Sequence, residues 1–120
     1  IDVEGFPELW SALEQWNGDN VEFPGETYRE YVRQCYFNNA LMEGGWTLGT
    51  KPVDLSKGTC STLVIGATRD HIAPPAACGG LEKVWGGDCE VRTIRGGHVG
   101  ICVGKTLPAQ LTEWFLADEA

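Results

Sequence analysis

The sequence predicts an α/β fold, and three observations carry that prediction. Ser61 to Ala67 (STLVIGA) is an uninterrupted apolar run of strand length, as suits a strand covered on both faces. Cys89 to Ile94 (CEVRTI) reads as a second strand, with Val91 alternating against Arg92. Helix-like stretches follow each of them. The resulting order, strand-helix-strand-helix, is the βαβ rhythm of an open parallel sheet joined by right-handed crossovers.

From the N-terminus, Phe6 to Trp16 reads as a short amphipathic helix. Leu9, Trp10, Leu13 and Trp16 share one face, and Pro7 is tolerated in the first turn. Asn17-Gly18-Asp19-Asn20 stops it, and Phe23-Pro24-Gly25 is a second break. Glu26 to Leu41 reads as a longer helix. Tyr28, Val32, Cys35 and Tyr36 lie on one side of it, with Arg29, Glu30 and Arg33 outside. Gly44-Gly45 ends that segment. Trp46-Thr47-Leu48 and Lys51-Pro52-Val53 flank Gly49-Thr50, a hairpin signal in which Pro52 confines its strand to an edge. Beyond the first long strand, Pro74-Pro75 leads into a helix over Ala76 to Trp85, closed by Gly86-Gly87. Gly96-Gly97 opens a loop after the second strand. A last helix runs from about Lys105 to Leu116, with Leu107, Leu111, Trp114 and Phe115 on one face.

The chain has 120 residues, 17 acidic and 9 basic, for a net charge of −8. That length suits one domain with enough surface to bury a single core without staples. Both halves are acidic, so there is no basic arm for phosphate contacts, and nucleic acid is excluded as an expected partner. No apolar run approaches the roughly 18 residues of a membrane span. The five cysteines, Cys35, Cys60, Cys78, Cys89 and Cys102, are odd in number and show no C-x-x-C spacing. They read as reduced, mostly buried thiols of a cytoplasmic protein, and no metal site is expected.

In an open α/β sheet the chemistry gathers at the carboxyl ends of the strands. Arg69-Asp70-His71-Ile72 follows the first strand and Gly96-Gly97-His98-Val99-Gly100 follows the second. One strand-helix-strand unit separates Asp70 from His98, so adjacent parallel strands would bring both to one edge. There the carboxylate would fix the imidazole tautomer and the imidazole would take a proton from a nucleophile. The plainer alternative is that Asp70 caps the following helix and His98 is an incidental loop residue.

A set of short motifs bears on that choice. They are Phe23-Pro24-Gly25-Glu26 with Arg29, Val32, Tyr36, Asn39 and Leu41, then Val53-Asp54-Leu55, then Asp70-His71-Ile72-Ala73-Pro74-Pro75, and Gly96-Gly97-His98-Val99-Gly100. In this order and spacing they resemble the C-terminal part of the poly(3-hydroxyalkanoate) synthases, over roughly residues 20–116. The resemblance implies an α/β-hydrolase fold, here a partial one. A helical cap-like segment over 1–45 would precede the C-terminal part of the sheet over 46–120, within a single domain. It also implies a Cys-His-Asp triad polymerising 3-hydroxyacyl groups from coenzyme A thioesters, with coenzyme A entering as substrate and no cofactor. Asp70 matches the triad aspartate and His98 the triad histidine. His71 matches the DHI pattern and is expected to pack or hydrogen-bond locally, with an accessory proton-handling role as the alternative.

The match also implies an absence. The family's nucleophile sits on a G-x-C-x-G-G elbow, and nothing in residues 1–69 reads that way. Cys35 lies mid-helix, Cys60 lacks the glycines, and Ser61 stands where the family often has Pro. The chain is therefore expected to be the C-terminal portion of such an acyltransferase, inactive without its nucleophile-bearing segment. Ala76-Ala77-Cys78-Gly79-Gly80 mimics an elbow, but Pro74-Pro75 rather than a strand precede it, so Cys78 is disfavoured as a nucleophile. Two other functions compete. One is a non-enzymatic module that forms a homo-oligomer or binds a partner or acyl ligand, since a lone strand-helix unit exposes an edge and an apolar face. The other is a small acyl-CoA thioesterase using Cys78.

Overall fold

The computed structural model describes residues 6–117. It is an α/β arrangement with a helical N-terminal part. Helix α1 spans Phe6–Gly18, two residues beyond the sequence expectation. The expected helix over Glu26 to Leu41 is instead three pieces. Helix α2 spans Gly25–Tyr31, a π-helical turn covers Val32–Phe37, and helix α3 spans Ala40–Glu43. The break falls at Asn39, whose φ of 47° is left-handed, a conformation that asparagine tolerates better than most residues. The π turn closes with the amide of Asn38 bonded to the carbonyl of Arg33, five residues back. The wider turn sets Tyr31 and Tyr36 side by side, their hydroxyls 3.1 Å apart and their rings edge to face at 5.4 Å. The shared side of this segment is not a buried face: Tyr28 and Tyr36 are exposed and only Val32 and Cys35 are half-buried.

Strands β1 (Thr47–Leu48) and β2 (Lys51–Pro52) form the expected hairpin, with Gly49 at a φ of 61° in its turn. Asp54 then caps a single 3₁₀ turn, Leu55–Lys57, by accepting from the amide of Ser56. Strand β3 (Thr62–Ala67) pairs in parallel with β4 (Cys89–Ile94), from Thr62 opposite Cys89 to Ala67 opposite Ile94. The crossover differs from the single helix expected over Ala76 to Trp85. Helix α4 is only Pro75–Cys78, and the chain tightens into a 3₁₀ helix over Gly79–Lys83. Two adjacent glycines lower the preference for continuing an α-helix. Helix α5 spans Thr106–Ala117.

The sheet carries helices on both faces. A Cβ at Gly66 would meet Pro75 and one at Gly79 would meet Val91, so α4 and the 3₁₀ helix cover one side. Arg92 points the other way, as period-two alternation requires, and its guanidinium bonds Gln110 of α5 at 3.2 Å and pairs with Glu90 and Glu113. The N-terminal part joins this unit through Trp46, whose indole donates to Glu30 at 3.0 Å, and through Met42 against Gly80. A cavity of about 380 Å³ lies at the join, lined by Leu41, Met42, Val53, Leu55, Val84 and Trp85 among others.

The expectation of a complete core is not met. Among the described residues the buried hydrophobics are Ala40, Ala67 and Ile94. Leu63, Val64 and Ile65 of β3 are only half-buried, against the expectation of a strand covered on both faces. The accessible surface is 9531 Å². A compact monomer of 13.1 kDa exposes about 6,400 Å². The radius of gyration is 17.6 Å, against about 14 Å for a closed domain of this length. The five cysteines are free thiols, as expected, but none is buried: Cys60 and Cys102 are exposed and the others half-buried. No helix among the described residues is long and apolar enough to cross a membrane.

Two glycines in the crossover make opposite predictions. A Cβ at Gly86 would lie 1.8 Å from the carbonyl oxygen of Ser56, whereas one at Gly79 would sit at 3.6 Å from Val91, with φ already −66°. Gly86→Ala should cost about 1–3 kcal/mol through backbone displacement. Gly79→Ala should stabilise by about 0.4–1 kcal/mol by restricting the unfolded chain. Urea unfolding midpoints of the two variants check the sign of each.

Candidate active site

Strands β3 and β4 end together at Ala67 and Ile94, both buried. Their pairing continues past the sheet. The amide of Thr68 donates to Ile94 and that of Arg69 to Gly96, each at 2.9 Å. These two bonds hold the following loops side by side. The amide of Asp70 then turns back to Ala67 at 3.1 Å, and the aspartate enters the edge of the sheet.

The Asp70 side chain is 6% exposed and uses both oxygens. Its Oδ1 accepts from the amides of Ile72 at 2.9 Å and Ala73 at 2.8 Å. Its Oδ2 lies 2.8 Å from Nδ1 of His98. Asp70 therefore organises its own loop and holds the imidazole at once. It does not cap α4, which begins five residues later with Pro74 at its N-cap. The His98 loop is held on its own side by amides of Ile101, Cys102 and Val103 bonded to Gly97 and Val99. A Cβ at Gly96 would lie 2.6 Å from the side chain of Ile101, so glycine permits that close approach.

Burial pushes the Asp70 carboxyl up, but the amide of Ala73, the His98 imidazole and the amide of Ile72 outweigh it. The group is held below the ordinary aspartate range. An ionised Asp70 accepts a hydrogen bond from Nδ1–H, the tautomer that leaves Nε2 as the nitrogen able to take a proton. His98 is 46% exposed, so Nε2 is open to an incoming proton donor.

Sequence reasoning brought Asp70 and His98 to one edge, and the structure joins them. His71 lies beside the pair, outside its hydrogen bonds. It is exposed, and the hydrogen bonds of the described residues do not include one from its ring. Cys78 closes α4, and its thiol donates to the carbonyl of Ala73 at 3.4 Å, with no bond to His98. Among the described residues no group of three or more His, Cys, Asp or Glu could hold a metal ion. The contacts missed from sequence are backbone ones, the amides of Ile72 and Ala73 and the Arg69–Gly96 bond. Only the Asp-x-x pattern ahead of Pro74-Pro75, which favours a side-chain-closed turn, signals the first two.

The comparisons with known proteins agree on one relationship. Over 101 residues the chain is 36% identical to the poly(3-hydroxyalkanoate) polymerase subunit PhaC of Allochromatium vinosum, covering 83% of this chain and 28% of that one. It is 33% identical to the protein of the same name from Haloarcula marismortui, over 96% of this chain and 25% of that one. The Synechocystis protein of that name is 31% identical, over 86% and 29%. The chain thus spans about a quarter of the length of these curated relatives. No family model matches it, and no solved structure does.

The geometry predicts the effect of Asp70→Asn. The amide oxygen can keep accepting from Ile72 and Ala73, which leaves the NH₂ facing Nδ1. The ring proton should then move to Nε2, removing the free basic nitrogen, as ¹⁵N-resolved spectra of the His98 ring would report. In the unsubstituted chain, Asp70 should titrate below about 3.9, the aspartate reference. Its folded value is depressed, so its contribution to stability is present above the unfolded value and lost as pH falls through the lower folded one. A carboxyl ¹³C midpoint at or above the reference would contradict this assignment.

Proposed function

The chain belongs to the poly(3-hydroxyalkanoate) synthase family and corresponds to its C-terminal part, and from that premise we propose that it supplies the Asp-His portion of a Cys-His-Asp triad. The observation that carries the reading is the 2.8 Å bond between a buried Asp70 carboxylate and Nδ1 of a half-exposed His98.

In this reading a cysteine of the nucleophile-bearing segment approaches Nε2 of His98. The imidazole takes the thiol proton, and the thiolate attacks the carbonyl carbon of a 3-hydroxyacyl-coenzyme A. Coenzyme A leaves with the proton returned by His98. The hydroxyl of a further 3-hydroxyacyl group then attacks the acyl-cysteine, its proton again passing to Nε2 while the cysteine leaves. Asp70 holds the ring and stabilises the imidazolium in both steps. No cofactor takes part; coenzyme A is carried in and out with the substrate.

The fold reading follows the same line. Residues 46–120 act as the C-terminal part of an α/β-hydrolase sheet, and 1–45 as part of the cap over the active site, in a cytoplasmic enzyme. The half-buried β3 and the surface of 9531 Å² support a further segment lying against this one. The same surface suits a second copy of this chain, the alternative in which the module self-associates without catalysis. Cys78, turned to the Ala73 carbonyl, favours neither of these and gives the thioesterase reading little support.

The test is a chimera in which residues 20–116 replace the matched segment of the Allochromatium vinosum relative. It should release coenzyme A from 3-hydroxybutyryl-coenzyme A. His98→Ala and Asp70→Asn should each lower that rate by about 10²–10⁴-fold, the scale of positioned acid-base catalysis. A His98→Ala chimera at full rate would remove the triad reading. Turnover by the chain alone, abolished in Cys78→Ser, would install the thioesterase in its place.

A further inference from the structure

The chain's three tyrosines, Tyr28, Tyr31 and Tyr36, all lie in one exposed aromatic cluster on α2 and the π turn that follows it. Phe23 joins them, edge to face with Tyr28 at 5.8 Å and with Tyr31 at 6.0 Å. Tyr31 and Tyr36 are closer still. Their ring centroids are 5.4 Å apart and their hydroxyls 3.1 Å apart, so the two rings meet at the ends that carry the oxygens. Backbone geometry makes that contact. In an α-helix, residues five apart point about 140° away from each other and do not face one another. Here the Asn38 amide bonds the Arg33 carbonyl, and the wider five-residue closure brings positions 31 and 36 onto one side. The chemistry proposed for Asp70 and His98 makes no use of this pair.

Phenols that touch at their oxygen-bearing ends are placed for oxidative coupling, because the carbons ortho to the hydroxyls are the ones that join. Tyr31 is 38% and Tyr36 71% exposed, so a one-electron oxidant has access to both. We propose that Tyr31 and Tyr36 form an oxidative modification site, which a peroxide-fed one-electron oxidant converts to a carbon–carbon-linked tyrosine pair that locks the π turn. Each phenol gives one electron to the oxidant and one proton to water. The two phenoxyl radicals join through a new bond between ortho carbons. The hydrogens on those carbons then move to the oxygens and restore both hydroxyls. The protein loses two hydrogens, and the peroxide is reduced to water. Proximity favours this pairing over coupling between molecules, since the partner ring is already in contact. The link has the same five-residue spacing as the bond from Asn38 to Arg33, so it closes the turn covalently.

The test treats the chain with a haem peroxidase and limiting hydrogen peroxide. The product is read by the fluorescence of linked tyrosine and by peptide mass. Trypsin cuts after Arg33, between the two tyrosines, so the link should join two peptides that otherwise separate, with the loss of two hydrogens. The yield per chain should hold through a dilution of about tenfold, as an intramolecular step requires. Tyr28→Phe should leave the yield unchanged, while Tyr31→Phe and Tyr36→Phe should each remove the product without altering the circular dichroism. In the linked chain, exchange of the Asn38 amide should slow by at least about tenfold, because local opening of the turn is tethered. Absence of the product, a yield that falls with dilution or a link through Tyr28 overturns the site. So does a thioether to Cys35, the half-buried thiol of the same turn. A linked chain whose Asn38 amide exchanges as before overturns the lock.

Discussion

The Asp70 carboxylate is the constraint on which the functional edge of this molecule depends. One oxygen closes its own loop through the amides of Ile72 and Ala73, and the other fixes the ring of His98. Three donors converge on one buried group, and that convergence lets it remain ionised despite desolvation. The order of cause runs from the sheet outward. Parallel pairing brings Ala67 and Ile94 level, two further backbone bonds keep the loops adjacent, and only then can the side chains meet. No element of the N-terminal part is needed to explain the geometry of the pair.

The parts legible in the sequence are those whose signals are local. Alternation in CEVRTI, the apolar run STLVIGA and the Gly49-Thr50 turn each specify structure within a few residues, and all three appear where expected. The misread stretches are those where a local exception interrupts a good pattern. The spacing of Tyr28, Val32 and Tyr36 suits a helix, but periodicity does not register a π turn or a left-handed Asn39. The run from Ala76 to Trp85 has helical composition, yet Gly79-Gly80 tightens it. Burial was misjudged for a different reason. An apolar strand states what could be covered, and nothing within it states what covers it. At the site, a 28-residue separation anticipated the Asp70–His98 contact. The backbone bonds that set it carry no side-chain signature, so they were invisible until the loops were in place.

The molecule is therefore uneven in a specific way. Its Asp70 carboxylate is fully partnered, while its hydrophobic layer is not. Ala40, Ala67 and Ile94 are too few and too small to serve as the core of a 120-residue domain. Leu63, Val64 and Ile65 offer an apolar strand that α4 and α5 only half cover. Polar geometry of this kind needs short-range contacts, whereas burial needs area, and the two requirements are met on different length scales.

That difference bears on how a site of this type divides along a chain. Orientation of the imidazole is settled within residues 62–103, by one strand-crossover-strand unit and its two loops. In the proposed function a nucleophile then need only be brought to Nε2 by a further segment. The half-covered β3 offers such a segment apolar surface to pack on. Packing there would both complete the core and exclude water from the pair, strengthening the Asp70–His98 interaction as the local dielectric falls. Stability and chemistry would then be coupled through one act of association, with the orientation of His98 already in place before it.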